Sequence, residues 1–171
     1  MVAETLTAAR AAAGVQPFKA HGDGLVQVAY GSFAIAANVE DGDIFEMCKV
    51  PAGAVILGGH FYGGDLDTDS TETIDLDVGW AGNGGALTHD SANAVGLGDF
   101  GVLLGDAFVA GNVSNVVGYS YPLAGILVTG VLPKFSRATT IQVEANDVAA
   151  TFVAKTITVV VYYTVDDSIV A

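Results

Sequence analysis

The stretch DLDTDSTETIDLDVGW, residues 65–80, gathers six of the chain's nineteen acidic residues and ends on its single tryptophan. Carboxylates at alternate positions are what a hard cation such as calcium requires, so Asp65, Asp67 and Asp69 form the one candidate metal site. An EF-hand loop needs glycine directly after its third acidic ligand and a bidentate glutamate at position twelve. Here those places hold Ser70 and Leu76. The same three residues suit a turn, in which Asp side chains bond to nearby backbone. The turn is the preferred reading, and no cofactor is expected.

Other reactive side chains do not assemble into a constellation. His21, His60 and His89 lack ligand spacing, and Cys48 alone completes neither a zinc set nor a disulfide. In DIFEMCKV the cysteine has no adjacent base and is expected to be a small packed strand residue. His89 and Asp90 are neighbours in a loop and point apart, no GxSxG elbow occurs, and Ser120 in GYSYP is not in one. GNGG at 82–85 is followed by no GK[ST], and without a leader the NVS triplet at 112–114 means nothing as a glycosylation acceptor. The chain is expected not to be an enzyme.

Charge and composition narrow the partners. Six basic residues against nineteen acidic ones give a net charge of −13, and no Lys or Arg lies between Lys49 and Lys134. No basic stripe can neutralise phosphates, so nucleic acid is not an expected partner. With 51% hydrophobic and 15% charged residues over 171 positions, the chain is expected to fold as one domain with a full core. No apolar run reaches the roughly 18 residues of a membrane helix, and the N-terminus lacks the basic start of a secretory leader. Synthesis in the cytoplasm and no membrane partner are expected.

The elements that would carry these residues read as strands. Residues 1–20 form an arm in which Leu6, Ala9 and Ala13 could line a short helix that Gly14 and Pro17 stop, and residues 21–171 form the domain. In GLVQVAYGSFAIA, Val26, Val28 and Tyr30 alternate up to Gly31, which is expected to mark a bulge in a first strand or strand pair. IFEMCKV runs into the turn PAG at 51–53, which predicts a hairpin with AVILGGHFYGG, where Gly58 and Gly59 should bend the strand. In residues 74–80, Ile74, Leu76, Val78 and Trp80 fall on one face, with Asp75 and Asp77 on the other, in water. Residues 81–99 read as a long loop, and apolar runs around 100–110 and 124–132, punctuated by Gly, Asn and Pro122, are expected to give two or three short strands.

The final strand, KTITVVVYYTV, sets Ile157, Val159, Val161 and Tyr163 on one face but Val160 and Tyr162 on the other. A strand apolar on both faces must be covered on both. The expected fold is all-β: a single-domain β-sandwich or jelly-roll-like barrel with an extended N-terminal arm.

The order of the pieces adds a resemblance. PAGA at Pro51 to Ala54, DLDT at Asp65 to Thr68, DVG at Asp77 to Gly79 and the closing Tyr163 to Asp166 resemble head proteins of tailed bacteriophages, of the decoration (cement) or minor capsid type. The resemblance covers about residues 40–80 and 138–166. It implies a non-enzymatic virion protein on the capsid exterior that binds the major capsid protein and strengthens the shell, often as a homotrimer. Leu6, Arg10 and Phe18 of the arm are the expected lattice contacts, and Val160 and Tyr162 the expected subunit interface. The alternative is a carbohydrate-binding or adhesion β-module using the 81–99 loop and Tyr119 to Tyr121.

Overall fold

The computed structural model describes residues 5–9, 11, 12, 14, 25–69, 73–80, 119–122 and 132–166. Eight strands occur among them: β1 (Thr5–Thr7), β2 (Gln27–Ile35), β3 (Ile44–Val50), β4 (Ala54–Gly63), β5 (Asp75–Trp80), β6 (Tyr119–Pro122), β7 (Thr139–Asp147) and β8 (Lys155–Val165). They form two four-stranded sheets, ordered β1-β3-β7-β5 and β2-β8-β4-β6, packed as an all-β sandwich. Every pairing is antiparallel except β1 on β3.

Period-two patterning builds the core. Leu76, Val78 and Trp80 of β5, Ile141, Val143 and Ala145 of β7, and Ile157, Val159, Val161 and Tyr163 of β8 are all buried. Burying one such large side chain contributes about 2 kcal/mol. Trp80 meets Phe135 edge-on with ring centroids 5.4 Å apart. Phe135 is held by its own backbone, its N–H donating to the Ala54 carbonyl and its carbonyl accepting from Gly53.

Several expectations are corrected. Leu6 lies in an extended edge strand rather than a helix, because the β3 backbone beside it offers a ladder. The stretch expected to give a strand or strand pair yields one strand, β2, and its register against β8 runs unbroken through Gly31, so no bulge occurs there. The PAG turn does not close a hairpin: β3 and β4 belong to different sheets, and the turn, with Gly53 at φ 81°, carries the chain across the sandwich. The bend near Gly58 is present as a register shift between Ile56 and Gly58. β6 falls between the two apolar runs from which strands are expected, and those runs, apart from Leu132, lie outside the described residues, as does the 81–99 loop.

The true reason for Gly31 lies in the opposite sheet. A register shift between Glu46 and Cys48 pushes Met47 out of the β3 ladder. A Cβ built on Gly31 would sit 2.5 Å from the Met47 carbonyl carbon and closer still to its oxygen. The two backbones therefore nearly touch, and the sandwich is pinched shut on this side, with the Phe33 and Phe45 rings 5.3 Å apart and tilted by 52° beside the pinch.

One end of the sandwich collects three crossings from sheet to sheet: 36–43 between β2 and β3, 64–74 between β4 and β5, and 148–154 between β7 and β8.

Candidate functional site

The acidic turn sits at that end. Asp67 is buried, and its carboxylate accepts four backbone N–H groups. Oδ1 takes those of Asp69 (3.3 Å) and Thr151 (2.8 Å), and Oδ2 those of Thr73 and Ala150 (both 2.9 Å). Burial alone would raise its pKa, but the donors from Thr73, Thr151, Ala150 and Asp69 together outweigh it and lower it to about 2. Backbone bonds from Thr68 to Thr151 and from Val153 to Leu66 extend the joint. Asn38, from the third crossing, bonds Ala149 in both directions, at 2.9 and 3.2 Å. Asp67 is thus a clasp that ties the 64–74 and 148–154 crossings together.

This arrangement leaves Asp67 little capacity for a cation, since both oxygens are occupied by donors. Asp69 accepts the Thr151 hydroxyl at 3.1 Å. Among the described residues no group of three His, Cys, Asp or Glu side chains converges as a metal site would.

The two outer faces of the sandwich differ in character. On the first sheet, Asp75 stands opposite Asp147 and Asp77 opposite Glu144, so like charges face one another across β5 and β7. Asp75, Asp77 and Glu144 are half-buried rather than fully in water. Burial, then Asp77, then Asp41, raise the Glu144 pKa above the ordinary glutamate value. A raised carboxyl pKa means that the favourable contribution is complete below the unfolded pKa and is lost as pH rises through the folded one. Asp77→Asn should therefore raise stability at pH 7 by about 0.2–1 kcal/mol, with the gain shrinking as pH falls toward 4. Thermal unfolding at the two pH values checks this.

The outer face of the second sheet carries no carboxylate on the outward positions of β2, β4 or β8. The Val28–Tyr30 alternation points outward, with exposures of 45% and 47%, while Gln27 and Ala29 face the core. Cross-strand partners continue the patch: Tyr162 opposite Val28, and Val160 flanked by Tyr30 and His60. His60 lies 5.9 Å from Tyr62 and 6.1 Å from Tyr162, ring to ring. Val160 and Tyr162 thus sit at the middle of an apolar, aromatic surface, a feature only their half of which was visible from β8.

The remaining expected contacts divide. Leu6 lines an apolar groove of about 550 Å³ between β1 and β2, with Phe33, Val39 and Phe45, and with Glu40 and Asp43 near its wall. Asp43 is turned back on the chain, accepting the Glu40 N–H at 2.8 Å. Arg10 and Phe18 lie outside the described residues, as do His21, His89 and the 81–99 loop. Cys48 is buried within the core.

No family model and no curated protein matches the chain. Two solved structures do. A chain of the cyanophage Pam1 capsid asymmetric unit is 25% identical, with TM-score 0.59 over 91% of this chain and 94% of that one. A chain of the capsid of Ralstonia phage GP4 is 21% identical, with TM-score 0.70 over 95% and 98%. The fold is one that phage capsids contain. In both cases nearly the whole of each chain is covered, so the likeness extends over the sandwich as a unit.

Proposed function

We propose that the chain is a structural, non-enzymatic component of a phage capsid, of the decoration or cement type, that binds the outside of the assembled shell and stabilises it. The observation that carries this is the near-complete fold match to chains of two phage capsids. It is joined by a sandwich whose outer faces differ in character, one acidic and one apolar. In this reading the protein acts by bridging. Copies span neighbouring major capsid proteins, and each added contact raises the free energy needed to open the shell.

Leu6, Arg10 and Phe18 serve as lattice contacts, and Val160 and Tyr162 as contacts between copies, with the homotrimer as the form that the resemblance implies. Removal of residues 1–18 takes away the three-residue edge strand β1 and the packing of Leu6, Ala8 and Ala11 but none of the other seven strands, so the sandwich should stay folded at reduced stability. Occupancy of this deletion on purified shells should fall at least about tenfold, with thermal unfolding of the free protein confirming the fold. Unchanged occupancy would refute the role of the arm. Electron microscopy of virions tests the exterior position directly.

A further inference from the structure

We infer that the outer face of the β2-β8-β4 sheet is the surface through which copies of this chain meet one another. The inference extends, and rests on, the assignment of Val160 and Tyr162 as contacts between copies. It enlarges that pair to a surface of six side chains on three strands: Val28, Tyr30, His60, Tyr62, Val160 and Tyr162.

Charge decides the occupant. Two chains of net charge −13 repel wherever their carboxylates are brought together. The carboxylates of β5 and β7 lie on the far side of the sandwich, beyond a sheet spacing of roughly 10 Å. When two copies meet through the uncharged face, those carboxylates are separated by both sandwiches, well over the Debye length of about 10 Å at 0.1 M salt. A basic partner would instead be drawn to the acidic face. The apolar face therefore fits a surface of its own kind.

Size agrees with this. Strands of nine to eleven residues run about 30 Å, and three to four of them at 4.8 Å spacing offer on the order of 500 Å². Two such faces together reach the roughly 1,000 Å² of a specific interface. Its tyrosines, Tyr30, Tyr62 and Tyr162, are of the residue type that anchors such contacts.

The test uses the full chain and two variants, Tyr30→Lys and Val28→Lys, followed by sedimentation at micromolar concentration. Both side chains are about half exposed in the single subunit, so thermal unfolding should confirm intact folds. Each variant lowers the net charge to −12 (−13 + 1), which by itself would ease repulsion between copies. The parent should sediment as a multiple of 17.3 kDa, and both variants should dissociate at least about tenfold more readily. The inference is overturned if the parent is monomeric at tens of micromolar, or if folded variants keep the parent's mass. Variants that remain oligomeric but lose occupancy on purified shells would assign the face to the shell and also overturn it. A parent that oligomerises through this face yet fails to bind shells would leave the inference standing and sink the capsid reading alone.

Discussion

Replacing Gly31 by alanine should lower Tm by roughly 10 °C. The added Cβ would be 2.5 Å from the Met47 carbonyl carbon and 3.1 Å from its Cα, and both are backbone atoms that cannot swing aside. Relief requires β2 to withdraw from β3 by about an ångström, which loosens the Phe33–Phe45 contact and opens a void behind it. Overpacking of this kind costs about 1–3 kcal/mol and the void adds its own term, against a total stability on the order of 10 kcal/mol. Gly64→Ala is the control. Its Cβ would meet only the flexible stem of Lys155 at 3.1 Å, and Tm should move by no more than about 3 °C. Equal effects at the two glycines would show that the pinch is not under strain.

Asp67→Asn should cost about 3 kcal/mol at pH 7, measured by denaturant unfolding. The amide keeps one oxygen, but its NH₂ group then faces two backbone N–H donors that nothing else accepts, each a penalty of about 1–3 kcal/mol. The pH dependence follows from the sign of the shift. Asp67 is lowered from 3.8 to about 2, so its ionisation favours the folded state fully above the unfolded value, and that contribution drains away as pH falls from about 4 to 2. The lost contribution is about 2 kcal/mol, and the asparagine variant should lack that part of the acid limb. Because both oxygens are engaged by N–H groups, neither Ca²⁺ nor EGTA should change the Tm of the parent protein. A calcium-dependent rise would mean that the clasp opens to bind a cation.

Much of the architecture was legible because strand periodicity is a local property. Ile74, Leu76, Val78 and Trp80 are buried where alternation put them, and the face of β8 that carries Ile157, Val159, Val161 and Tyr163 lies in the core. What the sequence could not show was relative position. The turn chemistry of PAG is the same whether a chain doubles back in one sheet or crosses to another, so the hairpin expectation failed there. Period two in β2 separates two faces without saying which is inward, and the valine and tyrosine of the alternation turned out to face solvent. Asp65, Asp67 and Asp69 look equivalent in DLDTDS. Asp67 alone is singled out by amides of Ala150 and Thr151, more than eighty residues downstream, which no local pattern could reveal. The same holds for Gly31, whose constraint is a carbonyl of the other sheet.

The strand order has a kinetic consequence. β7 is an inner strand of one sheet and β8 of the other, and these are the two of the eight strands that leave the ribosome last. Until they emerge, β3 has no antiparallel partner, β2 and β4 have no strand between them, and the Asp67 carboxylate has neither Ala150 nor Thr151 to hold. Such distant pairings make folding slow and hold it back until β7 and β8 are both available. The apolar outer face of the second sheet is completed by the same event, since Val160 and Tyr162 arrive on β8 itself, between the Val28 and Tyr30 of β2 and the His60 of β4.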